Sequence, residues 1–139
     1  MSRVLSGLVI IDGTDDEWWP ESDEHVHKQY PVHMVMDFNQ PAAAVDIPDV
    51  KWGGECRVET RLSAVVVGTG QVQVEGNVKL FEGVTESSDD LEDTKVVSLL
   101  VPKGGHTAST TIQLRNTETW GGDHAEVYFH LTNVLYEDE

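Results

Sequence analysis

Apolar and polar residues alternate with a period of two along most of the chain, and no stretch carries the 3.6-residue apolar stripe of a surface helix. Over 57–67 (RVETRLSAVVV), Val58, Thr60, Leu62, Ala64 and Val66 share one face, and Arg57, Glu59, Arg61 and Ser63 share the other. The next run, 71–81, repeats the pattern. It places Val72, Val74, Val78 and Leu80 inward, with Gln73, Glu75, Asn77 and Lys79 outward. Between them the Gly-Thr-Gly at 68–70 supplies the turn residues that a hairpin requires.

Further strands follow by the same reasoning. Residues 4–11 form one, closed by the turn dipeptide Asp12-Gly13. In 31–38, Val32, Met34, Met36 and Phe38 alternate with His33 and Asp37. Residues 43–47 read as a short edge strand between Pro41 and Pro48. The segment 95–101 is apolar on both faces, which predicts a central or covered strand. After the turn at 102–105, residues 107–115 direct Ala108, Ile112 and Leu114 inward, and 125–133 do the same with Val127, Phe129 and Leu131. Seven or eight such strands across 139 residues predict an all-β fold. It is expected as a single domain spanning 1–139, one antiparallel sandwich of Greek-key or jelly-roll type. The stretches WGGECRVE (52–59) and WGGDHAEV (120–127) each set Trp-Gly-Gly-acid before a strand. This echo reads either as two equivalent loops carrying exposed tryptophans or as paired strand starts with the indole capping the core.

Charge narrows the functional classes. Twenty-five acids against nine bases give a net charge of -16, a field that repels nucleic acids and anionic membranes. The acids gather in 12–25, in 86–94 and at the C-terminal end, where a cation, a basic partner, a saline surrounding or solubility alone would each account for them. No apolar run approaches the ~20 residues of a membrane helix, and no signal peptide is recognisable. With one cysteine, Cys56, no internal disulfide forms; these features favour a cytoplasmic protein. Cys56 itself reads as a small buried hydrophobe.

Candidate chemistry is sparse. His25 and His27 share a face of an extended chain, as a transition-metal pair on a sheet would. His33 points outward, and His106, His124 and His130 do not converge with them, so these histidines read as surface residues. The loop 83–95 carries Glu86, Asp89, Asp90, Glu92 and Asp93, a set of oxygens suited to calcium, although the EF-hand spacing is absent. Trp18 and Trp19, with Trp52 and Trp120, are candidates for contact with a partner or a sugar. There is no nucleophile elbow, phosphate loop, dinucleotide fingerprint or zincin helix. The expectation is a non-catalytic acidic interaction module, needing no cofactor, that binds a protein partner or its own copies. The alternatives are a calcium- or carbohydrate-binding sandwich using the acidic loops and loop tryptophans, and a metal-dependent enzyme built on His25 and His27.

Overall fold

Residues that alternation assigns to the inner face are the buried ones. Val58, Leu62 and Ala64 on one strand, and Val72, Val74, Val78 and Leu80 on the next, are sealed from solvent. This is seen in a computed structural model that describes residues 2–15, 24–83, 85–116 and 123–136. The described residues form nine strands and no helix: β1 (Ser2–Asp15), β2 (Glu24–Asp37), β3 (Ala43–Val45), β4 (Val50–Trp52), β5 (Cys56–Val67), β6 (Gln71–Glu82), β7 (Leu91–Val101), β8 (Ala108–Arg115) and β9 (His124–Leu135). One sheet has the order β2-β1-β9-β8. The other has the order β3-β5-β6-β7, with β4 also pairing β5. All the strand pairings are antiparallel, and the two sheets enclose one apolar layer that includes Leu5, Val9, Ile11, Val127 and Phe129 from the first sheet. Each Val, Leu, Ile or Phe buried there contributes about 1.5–3 kcal/mol.

Several expectations change. β1 and β2 run on well past the limits set at Asp12-Gly13 and Pro31. Gly13 lies flat against the ring of Trp52 on the inner face instead of turning the chain. Pro31 is tolerated because β2 is an edge strand, where one side of the backbone needs no partner. β4 escaped detection because three residues carry no measurable period. The acidic loop ends earlier than expected: β7 begins at Leu91, and Glu92 is the extra residue where the β6–β7 register shifts beside Leu80 and Phe81. Finally, 95–101 is neither central nor covered. β7 is the edge of its sheet, with Val96 80% and Leu100 52% exposed on its outer face.

Two polar features fix the strands against each other. Asn133 on β9 is fully buried and joins the sheets at one end of the sandwich. Its Nδ2 donates to the carbonyls of Gly70 (2.8 Å) and Val101 (3.2 Å), and its Oδ1 accepts from the buried Arg3 Nε (2.9 Å). Every donor and acceptor in that set is paired, which is the condition for a buried polar group to be tolerated. Near the middle of each sheet a glycine lets neighbouring backbones approach. A Cβ on Gly7 would lie 1.9 Å from the His130 carbonyl oxygen, and one on Gly76 the same distance from that of Arg61. Both glycines have positive φ, 145° and 158°. A Gly76→Ala substitution is therefore expected to destabilise the fold by about 2–4 kcal/mol, since the obstacle is backbone that cannot rotate away. Urea denaturation measures this, and Gln113→Ala on the exposed face of β8, expected to change stability by less than about 0.5 kcal/mol, is the control.

Candidate functional site

The pairing of β1 with β9 places Thr14 opposite His124, so the strands bring Asp15 and Asp123 together at the end of the sandwich away from Asn133. Asp15 has the inward parity of Ile11 and Gly13. Cys56, the first residue of β5, reaches them from the other sheet. One donor atom from each of Asp15, Cys56 and Asp123 lies within 4.8 Å of the other two, and all three residues are buried. Cys56 Sγ stands 3.8 Å from Asp123 Oδ2. Burial pushes the Cys56 thiol well above its ordinary range, and the negative charges of Asp123, Asp15, Glu82 and Glu55 push it the same way. It is not an activated nucleophile, which would need its pKa lowered.

Trp52 closes this compartment. It pairs with Cys56 across the β4–β5 ladder, and a Cβ on Gly13 would meet its ring at 2.6 Å. Of the tryptophans considered as ligand contacts, Trp52 is thus a core residue at 5% exposure, as the capping alternative has it. Trp18, Trp19 and Trp120 lie outside the described residues. The second Trp-Gly-Gly lies there too, so only its last echoed acid, Asp123, is placed.

The acidic loop is organised by protein donors. Buried Arg57 stacks over the Phe81 ring (4.3 Å), donates to the Glu86 carbonyl (2.8 Å) and to Glu59 Oε2 (2.9 Å), and lies 3.5 Å from Asp89. Gly54 N–H donates to Glu86 Oε2 at 3.1 Å, pinning the loop to the β4–β5 turn. Asp93 accepts from the backbone of Thr94 and of Arg115, the latter on β8, each at 2.9 Å. Asp90 is exposed, and Glu92 is half-buried. Of the candidate calcium ligands, Asp89, Asp90, Glu92 and Asp93, no three gather their oxygens as closely as the Asp15 cluster does.

The histidines behave as strand parity requires. His25 and His27 lie on the exposed face of β2, where His25 Nδ1 meets Thr14 Oγ1 at 3.0 Å and His27 Nδ1 meets the Asp12 carboxylate. Neither belongs to a three-ligand group among the described residues. His33 is exposed, as expected. Sequence reasoning placed Cys56 correctly inside but missed Asp15 and Asp123. The only available signal was the WGG echo, which marks the two strand starts that meet here.

No family model matches the chain, and no curated protein matches its sequence.

The buried thiol has a consequence for stability. It stays protonated in the fold where the unfolded thiol ionises. Its contribution is therefore full below about pH 8.5 and declines as pH rises above that, by up to about 1.4 kcal/mol per pH unit. Urea unfolding of wild type should weaken more steeply above about pH 8.5 than that of Cys56→Ala; parallel pH profiles would contradict the assignment.

Proposed function

We propose that the protein is a non-catalytic interaction module that assembles with a second copy of itself through the β7 edge. The observation that supports this reading is the exposed apolar pair Val96 and Leu100 on the outer face of an edge strand. The other edges are guarded against such pairing. β2 is interrupted by Pro31, β3 is three residues long, and β8 presents Ser109, Thr111, Gln113 and Arg115 outward. β7 has no proline, and its charges sit towards its first half, at Glu92, Asp93 and Lys95.

The residue pattern of β7 is self-complementary. An antiparallel two-fold pairing centred on Ser98 sets Val96 of each copy opposite Leu100 of the other, an isologous contact. Electrostatics favour the same place. On and around the outer face of that sheet Lys51, Arg57, Arg61 and Lys79 are balanced by Glu59, Glu75, Asp49 and Asp89, although the whole chain carries -16. Two copies joined there meet at a surface near charge balance, with most of the loop 85–90 off to one end.

Sedimentation equilibrium across a concentration series tests the reading. Wild type is expected to dimerise. Val96→Lys should weaken the association by about tenfold or more (~1.4 kcal/mol) while leaving the melting temperature of the monomer in place, since the side chain is exposed. A wild-type protein that stays monomeric, or a dimer indifferent to Val96→Lys and Leu100→Lys, would contradict it.

A further inference from the structure

We propose that Asp15, Cys56 and Asp123 bind one divalent, thiolate-accepting cation of the zinc class. The site does not depend on the β7 interface and lies away from it, at the strand ends. Three observations carry it.

The first is chemical. Two carboxylates and a thiol, drawn from three strand ends and both sheets, share one buried compartment. A thiolate with carboxylates suits a borderline-soft cation; calcium and magnesium prefer oxygen alone. The second is geometric. With Zn–S of about 2.3 Å and Zn–O of about 2.1 Å, tetrahedral ligands stand about 3.6 Å apart. Sγ to Oδ2 is 3.8 Å here, and the widest separation in the set is within 4.8 Å, so small side-chain rotations bring all three donors to one ion.

The third is an independent polar group in the same place. The buried Trp52 indole N–H has no hydrogen-bond partner among the described residues. Its ring rests on Gly13, the inward neighbour of Asp15, and Trp52 itself pairs with Cys56. Three protein ligands leave a fourth position for water, which zinc ionises readily by releasing a proton to solvent, and the resulting hydroxide is an acceptor of the kind this donor lacks. On binding, the Cys56 S–H bond breaks, its proton goes to solvent, and the sulfur lone pair forms the bond to the metal. Surrounding acids favour the cation: Glu55 lies in the β4–β5 turn beside Cys56, and Glu82 at the end of β6 pairs with Cys56 across the ladder.

Cobalt(II) titration of the full chain, followed by absorption, tests the proposal directly. Because Cys56 is the only cysteine, a sulfur-to-cobalt charge-transfer band reports on this site alone. The expected result is a band that saturates at one cobalt per chain, is displaced by zinc, and accompanies tetrahedral visible transitions. It should survive in His25→Ala/His27→Ala and disappear in Cys56→Ala. Asp15→Asn and Asp123→Asn should each weaken the affinity read from the band. Absence of the band in wild type at saturating cobalt would overturn the proposal, whatever the variants do. So would a band whose affinity is unchanged by both aspartate substitutions.

Discussion

Everything in this sandwich is positioned by the antiparallel ladder between its first and last strands. β1 and β9 pair from Arg3–Leu135 to Thr14–His124 at the middle of their sheet. The close approach at Gly7 lets them do so. Because strand parity is strict, that one register settles both ends at once. At one end it delivers Arg3 to Asn133, whose amide then reaches across to Gly70 in the β5–β6 turn and to Val101 at the end of β7. At the other it sets Asp15 beside Asp123, facing Cys56. A one-residue slip would turn Asp15 and Arg3 out to solvent and Thr14 and Val4 inward.

The two ends differ in electrostatic character, and the difference is built from the same ladder. The Asn133 end gathers Arg3 and Lys103, with Lys103 Nζ reaching Thr69 at 3.1 Å. The opposite end gathers buried carboxylates and the acidic loop, which Arg57 draws down onto the sheet. The described acids of the loop 85–90 thus lie at the end opposite Asn133, while on the outer face of the β5–β6–β7 sheet Arg57 and Arg61 are paired with Asp89 and Asp49. This arrangement underlies both proposals, a second copy at the β7 edge and a cation at the Asp15–Cys56–Asp123 end.

The long hairpin at 57–81 was legible because two faces differ sharply along it, and Val58 through Leu80 are buried where alternation puts them. The misreadings have local physical causes. Pro31 and Gly13 look like breakers in sequence, yet the first sits on an edge strand and the second under an indole. The 95–101 stretch looked covered because apolar residues occupy both faces; β7 is an edge strand whose outer face carries no further layer, so Val96 stands in the open. The Asp15–Cys56–Asp123 cluster joins residues far apart in the chain. No spacing encodes it, and among so many acids two more carry no mark of their own.

Amide hydrogen exchange at two protein concentrations tests the central claim, that β7 is an edge held ready for a second copy. At high concentration the amides of 95–101 that face away from β6 should gain protection, while those of β2 and β8 should exchange at unchanged rates. Equal protection of β7 at both concentrations, or a gain confined to another edge, would contradict the account.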